Sequence, residues 1–465
     1  MRVMGLRRAM LWLGGAPRAR HWRAASPAAS PAAASGALAL LALGCASAQT
    51  PKPLSETDLV AKARGIHERV IALDTHVDIN PANFRLDAPN YKDRLNTQVN
   101  LPKMKEGGLD AAFLIVYVGQ SPQFTPEAYD RAYGQAMEKF RAIHRLVDSI
   151  APDQAALALT GDDVRRANAQ GKKAILIGVE NGYPIGTDVT RVKQFYDLGA
   201  RYLSMAHNGH SQLSDSNTGE RDGKWQWNGV SPLGEQVIAE ANRVGIMLDI
   251  SHPSKQSMMR TLALSKAPII ASHSGVRALA DHSRNLDDEQ LKALAKNGGV
   301  AQLVAFDSYV KIRPPDSPER VKAIQALRAE FGLTGGGPGG GLGQGAIQQL
   351  PADKRGDFQR RLTELNREFP APPRATVKDF VNHVDYAVKL IGIDHVGISS
   401  DFDGGGGVDG WSDATETFNV TLELVRRGYT EEQIAKLWSG NLLRVLDEVQ
   451  RVAAGLQRAA GRTTR

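Results

Sequence analysis

Along the chain, short apolar runs alternate with stretches in which apolar residues recur at helical spacing. Eight runs stand out: "VIALDTHVDI" from Val70, "LDAAFLIVYVG" from Leu109, "KAILIGVENG" from Lys173, "ARYLSMAH" from Ala200, "GIMLDISH" from Gly245, "APIIASHS" from Ala267, "GVAQLVAF" from Gly299 and "HVGISSDF" from His395. Most are bounded by turn or helix signals, and near-continuous apolarity over so few residues predicts strands buried on both faces. Helical patterns separate most of them. "SPLGEQVIAEANRV" opens at Ser231 with a capping serine, a proline at the first helical position and an apolar stripe. "DDEQLKALAKNG" and "TVKDFVNHVDYAVKLIG" both end at a glycine. Such alternation predicts an α/β fold with a parallel sheet, and eight units predict a closed (β/α)8 TIM-like barrel with helices outside. An open, doubly wound sheet is the alternative.

One segment breaks the rhythm. Residues 307–375 separate the seventh run from the eighth helical unit and read as an insertion at the strand-end face, placed to act as a lid. Its glycine cluster, "LTGGGPGGGLGQG" from Leu333 to Gly345, neither follows a strand nor carries Lys-Ser/Thr, so it reads as a flexible loop and not a phosphate loop. The barrel is expected over 49–450, with 451–465 a flexible tail.

Charge changes the picture of the N-terminus. The net charge of +7 rests on the first 48 residues, which hold six arginines and no Lys, Asp or Glu; the remainder carries 51 basic against 50 acidic residues. Nothing in that balance suggests nucleic acid as a partner. The basic start, the apolar "SGALALLALG" and the small residues of "ASAQ" predict an export leader over 1–48, cleaved after Ala48. The apolar run is too short to span a bilayer. Arg7-Arg8 hints at a twin-arginine signal, and Cys45 in "ALGC" loosely matches a lipoprotein box, so a lipid anchor at Cys45 is the minority alternative. Cys45 is the only cysteine, so the mature chain is expected to use neither disulfides nor thiol ligands. The expected location is the periplasm, free or membrane-associated. N-terminal sequencing of the exported protein should begin near Gln49; a lipid-modified Cys45 as first residue would replace that outcome with the anchored form, and a cytoplasmic product retaining its leader would contradict both.

A barrel places its chemistry at the C-terminal ends of its strands. Asp74, His76 and Asp78 end the first run, Glu180 the third, His207 the fourth, His252 the fifth, His273 the sixth and Asp401 the eighth. Singly, each has a bland explanation as a hydrogen-bonded core or loop residue or a helix cap. Together they are costly to bury unless a cation organises them, and a divalent metal binds imidazole and carboxylate of this kind. His67, His144 and His383 fall in helical stretches and are expected on the surface, His395 at the opposite rim; His210 and His282 stay undecided. "DFDGGGGVDG" fails as a calcium loop because Gly405 takes the third ligand position. There is no nucleophile elbow and no candidate catalytic cysteine.

The set "DTHVD", "LIGVENG", "YLSMAHN", "GVSPLGEQVIAEANRVGIMLDISH", "APIIASHS", "HSRNLDD" and "GISSDFDG" resembles the membrane dipeptidase (renal dipeptidase) family over roughly Leu59 to Val449. The resemblance implies an amidohydrolase-like barrel, two zinc ions per chain and hydrolysis of dipeptides by water activated between the metals. By position it implies His76 and Asp78 as ligands of one zinc, His252 and His273 of the other, and Glu180 as the carboxylate bridging them. It implies Asp401 as acid/base, and His207, Arg284 and Tyr309 as substrate-binding residues, His207 also donating to the developing oxyanion. Asp74 is expected to support His76 from behind the ligand shell. Departures fall at "VENG", where Glu-Gly-Gly is more usual, at Ala206, where a Thr is common, and at the long insertion; they bear on substrate preference. A D-residue at the second position stays open, as does a homodimer. Two other functions remain: an amidohydrolase-like hydrolase of another amide or a lactone, and an inactive periplasmic binding protein.

Overall fold

The computed structural model describes residues 54–333 and 350–463; the leader, Cys45 and most of the glycine cluster lie outside them. Nine strands form one parallel sheet: β1 Leu73–Asp78, β2 Ala111–Tyr117, β3 Ala155–Leu157, β4 Lys173–Glu180, β5 Ala200–Ser204, β6 Met247–Asp249, β7 Ile270–Ser274, β8 Val300–Val304 and β9 Val396–Ser399. The order is β1-β2-β4-β5-β6-β7-β8-β9, with β3 paired only to β4. The barrel closes where Val77 bridges Phe402 and the Asp78 N–H donates to the Phe402 carbonyl at 2.9 Å. All eight expected strands are present and the open sheet is not formed. The additional β3 is three residues long, too short to register as an apolar run.

The helices follow the sequence signals. Pro232–Val244 is capped by Ser231 and ends at Gly245 in the left-handed region (φ 97°), which glycine adopts without strain. Asp288–Lys296 and Val377–Ile391 each begin with a reciprocal capping box, Asp287 with Gln290 and Thr376 with Asp379. Their apolar faces pack on β6, β8 and β9, strands buried at every position. Among the described residues no helix is long and apolar enough to cross a membrane.

Two expectations need correction. The C-terminal segment is not a flexible tail through its described length: a helix runs from Asn441 to Thr463, with Leu442, Val445, Leu446, Val449 and Ala453 buried on one stripe and Gln457 donating to the Arg243 carbonyl at 2.7 Å. His67 and His383 are buried: His67 bonds Thr421 and the Gly107 carbonyl at 2.8 and 2.9 Å, and His383 accepts from the Val276 N–H at 3.0 Å. Both join helices to their neighbours, a use of imidazole that helical spacing alone does not reveal. The insertion, where described, holds two helices, Pro318–Glu330 and Ala352–Glu368, joined by an apolar cluster of Leu327, Leu350 and Phe358 with Phe331 and Leu362. Its ends are clipped together by Asp307, which accepts from the Ala375 N–H at 2.7 Å and pairs with Arg313 at 3.2 Å.

Candidate active site and metal centre

The strand ends bring seven of the expected residues to one place. Ligand atoms of His76, Glu180 and His273, of Glu180, His207 and His252, and of His76, Asp78 and Asp401 form three overlapping groups, each within 4.8 Å. Glu180, at the end of β4, stands at the centre. Its Oε1 lies 3.0 Å from His252 Nε2 and 3.3 Å from His273 Nε2, while its Oε2 lies 3.6 Å from His76 Nε2. One carboxylate oxygen therefore faces each half of the cluster. His76 Nε2 is also 3.5 Å from Asp78 Oδ2 and 4.0 Å from Asp401 Oδ1.

The backbone is bent to make this cluster. His252 and Asp401 both sit in the left-handed region, at φ 77° and 60°, an uncommon conformation for residues with a Cβ and one often found at functional sites. Gly404 opens the space between Asp78 and Asp401: a Cβ there would fall 2.3 Å from a carboxylate oxygen of each.

Protein atoms alone leave the cluster unsatisfied. His76 Nε2 and Glu180 Oε1 are buried without a hydrogen-bond partner. His252 Nδ1 points its proton at Asn208 Oδ1 (3.0 Å), and His273 Nδ1 at the Ser272 hydroxyl (2.8 Å), which itself donates to Asp249 Oδ2 at 2.7 Å. Both Nε2 atoms are then bare lone pairs, yet they lie 3.0 Å apart. Burial pushes the Asp401 carboxyl up to about 8, with Asp78 and Glu180 adding to the effect. Burial, with Arg284 and neighbouring imidazoles, also holds His252 and His273 well below the ordinary histidine range. Bare imidazole nitrogens converging on a buried carboxylate are the donor set a divalent cation stabilises, so the residues fit a metal centre.

A family model described as membrane dipeptidase (peptidase family M19) matches residues 60–460. The chain belongs to this family. It is accordingly a hydrolase of the metallopeptidase class. Among solved structures it is similar to the probable dipeptidase PvdM from Pseudomonas aeruginosa, with 35% identity, a TM-score of 0.69 and coverage of 85% of this chain and 100% of that one. A metallopeptidase from Rhodobacter sphaeroides, solved with a phosphinate mimic of L-Ala-D-Ala, shares the fold at 22% identity and a TM-score of 0.61, covering 82% of this chain and 99% of that one. The dipeptidase aclJ of Aspergillus oryzae is 27% identical over 78% of this chain and 73% of its own length.

In this membrane dipeptidase family member, the expected substrate-binding residues are also placed. His207 Nε2 lies 4.0 Å from Glu180 Oε1, its ring between those of Tyr117 (4.5 Å) and His252 (4.2 Å). Arg284 is 3% exposed, so its charge is committed to the interior of the site. Its Nη2 donates to the His273 carbonyl at 3.0 Å, its guanidinium carbon is 5.4 Å from the Tyr309 ring centre, and its Nε is buried without a partner. Arg284 and Tyr309 line a cleft with Asn208, Asn217, Thr218 and His282. Asn181, the departure from the family's more usual glycine, takes φ 70°, which asparagine tolerates, and donates through Nδ2 to the Val118 carbonyl at 2.9 Å. The undecided His210 accepts from the Ser216 N–H, and His282 from the Arg284 N–H, both at 3.1 Å, so each organises a rim loop.

Asp74 does something other than expected. It accepts from the backbone N–H groups of His76 (3.2 Å) and Ser400 (3.0 Å) and from the Ser400 hydroxyl, tying β1 to the end of β9. The imidazole of His76 is held instead by Tyr202, whose hydroxyl lies 2.9 Å from Nδ1 and donates onward to the Thr75 carbonyl at 3.2 Å. The pairing of β1 with β2 slips between Asp74 and Val77, and a bulge of this kind turns side chains away from simple alternation. Tyr202 reaches across β4 only because residue 178 is glycine: a Cβ there would fall 2.2 Å from its ring.

Proposed function

We propose that the chain is a zinc dipeptidase holding two zinc ions, one on His76 and Asp78, the other on His252 and His273, with Glu180 shared. The observation that carries this is the division of the Glu180 oxygens, Oε1 toward His252 and His273 and Oε2 toward His76. Zinc bound by these residues would supply a nucleophile from water near neutral pH and would polarise the peptide carbonyl. The protein's own groups do the rest. Asp401, buried beside the cluster with Oδ1 4.0 Å from His76 Nε2, takes the proton of the attacking water and gives it to the leaving amine. His207 donates a hydrogen bond to the carbonyl oxygen as negative charge develops there. Arg284, anchored on the His273 carbonyl, grips the substrate carboxylate with Tyr309 beside it.

A C-terminal carboxylate held so close to the cluster selects substrates with one residue beyond the scissile bond. Arg284→Ala should cost about 2 to 4 kcal/mol of transition-state stabilisation on a dipeptide, roughly 30- to 1000-fold in kcat/KM. A dipeptide amide, which offers no carboxylate, should lose far less. Kinetics of both substrates on both proteins form a double-mutant cycle. Equal losses for acid and amide would show that Arg284 does not read the C-terminus.

The proposal includes dipeptides with a D-residue at the second position; the Rhodobacter sphaeroides relative carries a mimic of such a dipeptide. A stereochemically varied dipeptide panel, run beside N-acyl amino acids and lactones, tests it. Turnover of the acyl amino acids or lactones with none of the dipeptides would favour the other amidohydrolase chemistry, and metal content without turnover would favour a binding protein.

A further inference from the structure

Each candidate zinc-binding imidazole is held through Nδ1, but not by the same kind of group. His76 leans on a tyrosine hydroxyl and His252 on an asparagine amide oxygen, both neutral. His273 leans on the Ser272 hydroxyl, which passes its own proton to Asp249. Ser272 and Asp249 are buried, and Asp249 Oδ1 is fixed by the N–H groups of Ser251 (3.0 Å) and Ser272 (2.8 Å). The direction of the chain is therefore set: carboxylate accepts from hydroxyl, hydroxyl accepts from Nδ1–H, and Nε2 keeps its lone pair for the cluster.

The two halves of the centre also differ in charge. The His76 half has Asp78 as well as one oxygen of Glu180. The His252–His273 half has only the other oxygen of Glu180 within ligand distance. We propose that Asp249 and Ser272 are positioning residues that lend carboxylate character to His273, compensating for the lack of a carboxylate ligand of its own on that half. Resting on the two-metal proposal above, this makes retention of one specific zinc depend on a group that touches neither metal nor substrate. A hydrogen-bonded partner behind a metal-binding histidine typically contributes about 10- to 100-fold in metal affinity.

The two available substitutions should act in a definite order. Ser272→Ala removes the hydroxyl and leaves His273 free to keep its tautomer. Asp249→Asn is worse. Its amide oxygen must still face the Ser251 and Ser272 N–H groups, so its NH2 faces the Ser272 hydroxyl. That hydroxyl then accepts from the amide and turns its proton toward His273 Nδ1, moving the imidazole proton to Nε2, where a ligand needs a lone pair.

The test is chelator competition on the folded full chain loaded with zinc, together with nitrogen-15 NMR of histidine-labelled, metal-stripped protein. Wild type should release two zincs per chain, and His273, assigned by its loss in His273→Gln, should carry its proton on Nδ1. Ser272→Ala should weaken one of the two zincs by about 10- to 100-fold and leave the other unchanged. Asp249→Asn should weaken the same zinc further, with the His273 proton moved to Nε2. Unchanged retention in both variants, equal weakening of both zincs, or a wild-type His273 protonated on Nε2 would overturn the proposal. Should either variant fail to fold, the wild-type tautomer still decides. A wild type that binds fewer than two zincs would refute the two-metal proposal, while the His273 tautomer would still decide the hydrogen-bond chain separately.

Discussion

Glu180→Gln should empty the metal centre. The substitution keeps the shape of a side chain that is 2% exposed, so the barrel should fold normally. What changes is charge and donor type. The carboxylate offers Oε1 to His252 and His273 and Oε2 to His76, and a neutral amide replaces one of those oxygens with an NH2 that repels a cation. The His76 half then keeps only Asp78, and the His252–His273 half keeps no carboxylate, too little negative charge to balance two divalent ions packed side by side. Metal content should fall from two per chain toward zero. Turnover should fall at least about 1000-fold, because metal-ion catalysis supplies several kcal/mol of transition-state stabilisation. Elemental analysis and dipeptide kinetics on the same preparation check both. Full activity with a single tightly bound metal would contradict the bridging role.

Asp401→Asn should separate metal binding from chemistry. Asp401 stands at the edge of the cluster, with Oδ1 4.0 Å from His76 Nε2, further than Glu180 or Asp78. Its backbone is left-handed, and the open space at Gly404 leaves room for its carboxyl beside that of Asp78. The amide retains that placement but cannot carry a proton between water and the leaving amine. Both metals should remain, KM should move little, and kcat should fall by roughly 100- to 10,000-fold, the range of general acid–base contributions. Loss of both metals in this variant would make Asp401 a principal ligand instead.

Much of the fold and of the cluster is legible in the sequence. The eight barrel strands announce themselves because a strand covered on both faces needs apolar residues at nearly every position. The cluster is legible because His76, Glu180, His252, His273 and Asp401 each end such a run, and a barrel gathers strand ends on one rim. What stays hidden depends on sideways register. Tyr202 looks like barrel filling until β4 is seen to offer a glycine beneath its ring. Asp249 and Ser272 look like strand polarity until β6 and β7 pair at Asp249 and Ile270 and bring them to 2.7 Å. Asp74 misleads for the same reason: two-residue spacing from His76 suggests a shared face, and the slip in the β1–β2 pairing turns it to Ser400. His67 and His383 show the helical counterpart, since imidazoles beside an apolar stripe are buried when a neighbouring element offers them partners.

The most direct test of the central claim is a zinc titration of metal-stripped protein, following dipeptide hydrolysis as each equivalent is added. The two-metal centre predicts activity that climbs to its plateau only as the second equivalent binds, with wild-type stoichiometry of two per chain. A plateau at one equivalent, or no hydrolysis of any dipeptide with two bound, would contradict it.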